Sequence, residues 1–345
     1  MKPDSRYQKQ MLFDGIGQDG QHALAKRRVL LVGCGALGCV LADAMTRAGV
    51  GHLRIVDRDF VELSNLQRQT LFTEDDVTSH LPKAIAAADR LRRINSSIKI
   101  EPIVADADFN NIRGFAEGAD LIMDGTDNFE IRYLINDLSL DTGIPWIFTG
   151  CTGSHGQMMP VLPGETACLR CLMQNPPPPG STETCDTAGV LGPAIGVIAS
   201  LQAAMALKIM TGQKEAVPQK LTIVDVWGLT FRQMDVSNLR ESTECPACKG
   251  GERLWLDGSQ SAGSTILCGR NAVQISPPEK TGLSLPELAN RLESAGVVTS
   301  NPFLVRVAVA ESDLEVTVFP DGRAIVKGTE DPAAARAIYS RYVGS

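Results

Sequence analysis

The chain gathers little positive charge in any one place. Its basic clusters stop at Lys26-Arg27-Arg28 and Arg90-Leu91-Arg92-Arg93, neither carries interleaved aromatics, and the formal net charge is −7. That pattern argues against nucleic acid as a direct ligand. Long apolar runs are missing as well: no stretch approaches the roughly 18 uncharged apolar residues of a membrane span. The polar start Met1-Lys2-Pro3-Asp4-Ser5-Arg6 has no apolar segment behind it, so the expectation is a cytoplasmic protein with no membrane association. A disulfide framework is not expected from nine cysteines in an unsecreted chain, because four of them fall into two Cys-x-x-Cys pairs suited to metal or thiol chemistry.

What is present is ample material for a buried core. With 345 residues and 43% apolar content, the chain can form one large domain and a small one. Short β-branched runs at 28–32, 53–57, 98–104, 120–124 and 145–148 alternate with helical patterns at 36–48 and 82–94. This alternation predicts an α/β, Rossmann-like, mostly parallel sheet with crossover helices. From about residue 156 the strands shorten into an antiparallel continuation, a polar and proline-rich stretch at 174–186 reads as an irregular loop, and an apolar helix is expected over 193–210. Strands at 221–226 and 230–236 follow. Residues 1–250 then form the first domain, 251–263 a linker and 264–345 a small α+β module. Within that module the pattern predicts a helix at 285–293 with Ser284 as N-cap, hairpin strands at 305–310 and 315–319, and a last helix at 333–342.

Gly33, Gly35 and Gly38 form a G-x-G-x-x-G turn between strand and helix, and Asp57 ends the next strand 24 residues after Gly33. Glycines let backbone approach phosphate and the helix start favours its charge, while a strand-end carboxylate suits a ribose hydroxyl. A nucleotide is expected. The turn lacks the Lys-Ser/Thr of a Walker A loop and by itself does not separate a dehydrogenase from a nucleotide-cleaving enzyme. Asn65, Arg68, Lys83 and Asp127 shift the balance. They are the parts needed when ATP is cut at its α-phosphate: cations to offset charge on phosphorus and a carboxylate to hold Mg²⁺. Taken singly, each has a plainer reading as a solvated charge or a cap.

The stretches Arg6-Tyr7-Gln8-Lys9-Gln10, "GCGALG", "DRDFVELSNLQRQ", "LPKA", "DGTDNFEIRYLIN" and "TCDTAGVLGP" together resemble the ThiF/MoeB/HesA adenylyltransferases, bacterial relatives of ubiquitin-activating enzymes, over residues 5 to about 249. The resemblance implies ATP- and Mg²⁺-dependent adenylation of the C-terminal glycine carboxylate of a ubiquitin-like sulfur carrier protein. It places Gly33, Gly35, Gly38, Asp57, Asp59, Asn65, Arg68, Lys83, Asp127 and Asn128 at the nucleotide. The attacking carboxylate is already ionised at neutral pH, so no tuned general base is needed, in keeping with only 4 histidines. Where the family usually carries arginine in its N-terminal motif, reaching into the partner subunit, this chain has Lys9; either Lys9 serves or Arg6 substitutes, and a homodimer is implied. A cysteine desulfurase is the implied sulfur source. The C-terminal module looks like an extension of some thiazole-pathway members, which points to thiamine biosynthesis; the molybdopterin and tRNA-thiolation carriers stay open.

Cys168, Cys171, Cys245 and Cys248 make two Cys-x-x-Cys knuckles 73 residues apart, suited to tetrahedral Zn²⁺, with a redox dithiol as the alternative. For Cys185 the resemblance offers a sulfur-transfer nucleophile, and a spare loop thiol is the other reading. Cys34 and Cys39 read as small buried residues, Cys151 as the end of a sheet strand, and Cys268 as a core or turn cysteine. Two other functions stay open: an oxidoreductase on the same fold, and a non-catalytic scaffold that binds carriers.

Overall fold

The computed structural model describes residues 3–177, 185–260, 264–267, 271–277, 282–310 and 312–344. The chain divides into two units, Met1–Gln260 and Ser261–Ser345. The first is built on an eight-stranded sheet: β1 (Arg28–Val32), β2 (His52–Asp57), β3 (Lys99–Val104), β4 (Leu121–Asp124), β5 (Trp146–Thr152), β6 (His155–Val161), β7 (Lys220–Asp225) and β8 (Thr230–Asp235). Their order is β3-β2-β1-β4-β5-β6-β7-β8. The first five pair in parallel, and β5 to β8 pair antiparallel.

Among the described residues, five helices of this unit exceed two turns: α1 (Gly17–Leu24), α2 (Ala36–Ala48), α3 (Lys83–Ile94), α4 (Phe129–Thr142) and α5 (Gly192–Met210). They cover both faces, so β1 alternates between two cores: Val29 and Leu31 face one with Leu41, Met45 and Ile55, while Leu30 and Val32 face the other with Tyr133, Trp146 and Phe148. A strand buried on both faces is apolar throughout, as "VLLV" is. The chain leaves β1 toward β2 and β3 on one side, while β4 lies on the other. A crevice therefore opens at the carboxyl ends of β1 and β4.

Several elements depart from the sequence pattern. β5 runs on to Thr152, because Gly150, Cys151 and Thr152 pair with Gln157, Gly156 and His155 across a tight turn. β6 has seven residues, so the strands do not shorten at that point. Within the expected loop at 174–186, Cys185–Ala188 is a helical turn, and residues 178–184 lie outside the described ones. The expectation that nothing approaches membrane-span length also needs correction: α5, with 19 residues and mean hydropathy 1.5, is long and apolar enough by length and composition. Ala194, Ile198, Ala199, Ala206 and Ile209 nevertheless bury its inner face in the core beneath α2, β5 and β6.

The second unit is a six-stranded antiparallel sheet, order β11-β12-β13-β14-β10-β9, formed by β9 (Ser264–Leu267), β10 (Ala272–Ile275), β11 (Gly296–Asn301), β12 (Leu304–Val309), β13 (Glu315–Val318) and β14 (Ala324–Lys327). Helices α6 (Leu285–Leu292) and α7 (Pro332–Tyr342) bury Leu285, Leu288, Leu292 and Ala335 against the alternate residues Val305, Val307, Val316, Val318 and Val326. Ser284 occupies the N-cap position of α6 without a capping side-chain hydrogen bond.

One buried charge in α4 makes the fold pH-sensitive. Asp137 is wholly buried and accepts a hydrogen bond from the Trp255 backbone N–H at 3.0 Å. Burial pushes its carboxyl up to about 6, against the opposing pull of the Trp255 backbone donor, Arg170 and Arg253. Between an unfolded value of about 3.9 and that raised value the folded chain holds the extra proton. The stability contribution of Asp137 therefore falls as pH rises through this window, by about 3 kcal/mol in all. Asp137→Asn keeps an acceptor oxygen and removes the charge. Its melting temperature relative to wild type should be higher at pH 8 than at pH 4, and an equal difference at both pH values would contradict this account.

Candidate nucleotide site and cysteine knuckle

At the end of β1 the backbone turns through Gly33, with φ at +86°, a region L side chains rarely adopt. A Cβ added at Gly38 would lie 2.1 Å from the Gly33 carbonyl oxygen, and one at Gly125 would lie 2.4 Å from the same atom. Three backbones therefore pack in direct contact, joining the β1–α2 turn to the β4–α4 turn. Gly35 is different: the nearest atom to an added Cβ is Gln69 Nε2 at 3.9 Å. Nothing in the protein requires glycine there. Gly35 is the N-cap of α2 and provides no side-chain cap, so the first N–H groups of the helix are left without a capping side chain, as an anion cradle requires. That combination fits a phosphate.

Charged groups surround this turn. Asp57, buried at the end of β2, accepts hydrogen bonds from the Cys34 N–H at 2.6 Å and the Asp59 N–H at 2.7 Å. Burial pushes its carboxyl up, while Lys83 pulls it down. The carboxylate thus braces the glycine turn, and each oxygen keeps a lone pair for a hydroxyl. Lys83 opens α3 almost wholly buried, its Nζ 3.2 Å from Asp59 Oδ2. Asn65 is buried and caps its own turn by accepting from the Glu62 N–H at 3.0 Å. Arg68 is half-buried, donates to the Ser64 carbonyl at 3.0 Å and flanks Gly192 at the start of α5. Asp127 is exposed two residues beyond Gly125, and Asn128 caps α4 by accepting from the Glu130 N–H at 2.8 Å.

Lys9 lies elsewhere. Tyr7 accepts from Asn95 Nδ2 at 2.8 Å and Gln10 donates to the Ala48 carbonyl at 2.9 Å, pinning the N-terminal turn to the far ends of α2 and α3. Ala48 is 12 residues along α2 from its start, about 18 Å from the glycine turn. Lys9 is exposed on this segment, whereas Arg6 donates to the Ile94 carbonyl at 2.8 Å.

Sequence reasoning missed two cations. Arg58 sits between Asp57 and Asp59, with Nη1 3.2 Å from both Asp106 oxygens. Arg132, 5% exposed, pairs with Asp124 at 3.1 Å. A single sequence shows Arg132 only as a charge on a helix. The available signal was that Arg132 and Asn136, four residues apart, share the face of α4 that the apolar pattern assigns to the core.

The four knuckle cysteines converge. Their sulfurs all lie within 4.8 Å of one another, with Cys168–Cys171 at 3.8 Å, Cys168–Cys245 at 3.6 Å and Cys171–Cys248 at 3.4 Å. Thiolates about 2.3 Å from a tetrahedral Zn²⁺ stand about 3.8 Å apart, so the donor set and spacing fit a metal. Contacts with Cys171 and Cys248, then burial, push the Cys168 thiol far above its ordinary range. A cation is needed for all four to ionise. The knuckle is tied to α4: the Leu169 N–H donates to Asn136 at 2.9 Å, and Trp255, beneath Arg170 at 5.2 Å, packs on Tyr133 at 4.5 Å. Cys34 and Cys39 are wholly buried, and Cys151 lies in β5. Cys185 opens its helical turn, and Cys268 lies outside the described residues.

The pattern of the ThiF family matches residues 7–247. The chain belongs to the ThiF family. A relative from Bacillus subtilis, the sulfur carrier protein ThiS adenylyltransferase, is 41% identical over 340 residues, covering 98% of this chain and 99% of its own length. That likeness takes in the second unit. The SAMP-activating enzyme E1 of Haloferax volcanii is 37% identical over 246 residues, 71% of this chain and 89% of its own. The solved structure of E. coli MccB with MccA-N7isoASN has a TM-score of 0.63 at 22% identity, covering 72% of this chain and 75% of that one, a likeness of fold.

For this ThiF-family chain the glycines should separate folding from binding. Gly35→Ala is expected to melt within a few degrees of wild type yet bind ATP at least about tenfold more weakly, about 1.4 kcal/mol. Gly38→Ala forces the turn apart and should lower the melting temperature sharply. Unchanged ATP affinity in Gly35→Ala, by calorimetry, would refute a phosphate at this turn.

Proposed function

We propose that this chain adenylates the C-terminal glycine carboxylate of a small ubiquitin-like sulfur carrier protein, using ATP and Mg²⁺, in thiamine thiazole biosynthesis. The observation that carries the reading is a glycine turn whose middle glycine leaves room for phosphate, braced by Asp57, with Asp59, the partner of Lys83, two residues on in sequence and Asp127 two residues beyond the Gly125 backbone packed on the turn. The full-length likeness to a ThiS adenylyltransferase supports the choice of pathway.

In this reading the phosphates of ATP lie against residues 33–38 and the uncapped start of α2, while Asp57 accepts from a ribose hydroxyl. The carrier carboxylate attacks the α-phosphorus, pyrophosphate departs, and an acyl-adenylate forms. Asn65, Arg68 and Lys83 would offset the charge that builds on phosphorus, and Asp127 would hold Mg²⁺. The metal supplies charge neutralisation for the departing pyrophosphate. Catalysis is positioning plus electrostatics, because the attacking group is already ionised.

The distance of Lys9 from its own glycine turn supports a homodimer in which Lys9 reaches the partner subunit's site. Cys185 is the candidate nucleophile that captures the activated carrier, with a cysteine desulfurase supplying sulfur. Edge strand β8 is exposed along its length, and Phe231 follows the exposed Trp227 and Leu229 of the preceding turn, apolar surface beside an open strand edge that an added strand of a small protein would cover. ATP dependence and reduced thiols suit the cytoplasm.

Carrier-dependent exchange of labelled pyrophosphate into ATP tests the reading. Exchange should require the carrier, fall at least about a hundredfold in Asp127→Ala, and need more carrier for half-maximal rate in Trp227→Ala. No carrier-dependent exchange, or full exchange in Asp127→Ala, would overturn it. The knuckle reading predicts one zinc per chain by metal analysis; a well-folded chain free of metal would refute it.

A further inference from the structure

Asp124 closes β4 and Arg132 lies in the first turn of α4, both side chains almost without exposure. While Arg132 Nε pairs with Asp124, its Nη2 donates to the Thr126 carbonyl at 2.7 Å. Asp124 Oδ1 accepts from the Thr126 N–H at 2.9 Å and from its hydroxyl at 2.7 Å. Gln202, buried on α5, donates to the Asp124 carbonyl at 3.1 Å. The rings of Phe129 and Phe148 lie 5.3 and 5.7 Å from the guanidinium carbon. One buried pair thus grips Thr126 by its N–H, hydroxyl and carbonyl, and the next residue is Asp127.

Such a pair is a poor source of stability. Desolvation offsets most of the attraction, and apolar replacements of similar volume are often neutral or better. Helix α4 does not need it as a cap, since Asn128 fills that role. What the pair supplies is fixed orientation: the Thr126 carbonyl and the Asp127 N–H belong to one rigid peptide plane, so gripping the first aims the second. We infer that Arg132, with Asp124 as its counter-charge, is a positioning residue that aims the Asp127 carboxylate at the Mg²⁺ of bound ATP. This rests on the adenylyltransferase reading. Lysine keeps the charge toward Asp124 but lacks the planar fork that reaches two acceptors at once.

The test compares wild type with Arg132→Lys, with the apolar double variant Asp124→Leu/Arg132→Met, and with Arg27→Met, which breaks the Arg27–Asp120 pair at the opposite end of the sheet. Two quantities are read: melting temperature, and the Mg²⁺ concentration giving half-maximal pyrophosphate exchange. Arg132→Lys should melt within a few degrees of wild type and need about tenfold more Mg²⁺. The double variant should melt near wild type with exchange reduced about a hundredfold, and Arg27→Met should melt lower with an unchanged Mg²⁺ requirement. A wild-type Mg²⁺ requirement and rate in Arg132→Lys would overturn the inference even if the double variant fails to fold. So would a Mg²⁺ requirement that rises in Arg27→Met. Absence of exchange in wild type would instead overturn the adenylyltransferase reading itself.

Discussion

The contact among the Gly33, Gly38 and Gly125 backbones is the constraint on which the rest depends. It leaves no space for a Cβ at Gly38 or Gly125. In return, two turns from neighbouring strands sit against each other at the carboxyl end of the sheet. One carries an anion cradle at the start of α2, and the other carries Asp127 and Asn128. Asp57 braces the first turn through the Cys34 N–H, and Asp124 with Arg132 braces the second. Each turn is held by a buried carboxylate, Asp57 on one and Asp124 on the other, so the protein's own contacts shape the crevice. Preorganised charge is what a reaction without a general base requires.

Helix α4 extends that rigidity away from the crevice. Its N-terminus carries Asn128, its first turns carry Arg132, and its middle carries Tyr133, Asn136 and Asp137, which hold the segment of Cys168–Cys171 and Trp255. The knuckle is therefore joined to the phosphate end through one helix. A metal holding four thiolates would fix residues 168–171 to 245–248 and, through Asn136 and Tyr133, steady the same helix.

Much of the first unit was legible because its signals are local. The apolar run 28–32, the glycine turn and the helix ending at Gly49 obey period and punctuation, and the structure places β1 at Arg28–Val32 and α2 at Ala36–Ala48. The hairpin expected at 305–310 and 315–319 corresponds to β12 and β13. Elements set by tertiary pairing were not legible: β9, β10, β11 and β14 lack a clear apolar run bounded by turn residues, and β5 extends through Gly150 only because β6 folds back on it. In the site, residue types announced the acidic and glycine positions. Lys83 and Asp59 were legible as site residues, but Arg132 facing Asp124 and Arg58 facing Asp106 look in sequence like any surface charge. Their roles appear only when the fold removes water from around them.

The central claim is that a carboxylate attacks the α-phosphorus of ATP above the glycine turn, and isotope transfer tests it most directly. The carrier would be prepared with ¹⁸O in its C-terminal carboxylate and incubated with the chain, ATP and Mg²⁺, and the acyl-adenylate then discharged to a thiol. The account predicts that one labelled oxygen appears in AMP. Label absent from AMP, with ADP and phosphate as the products, would contradict it.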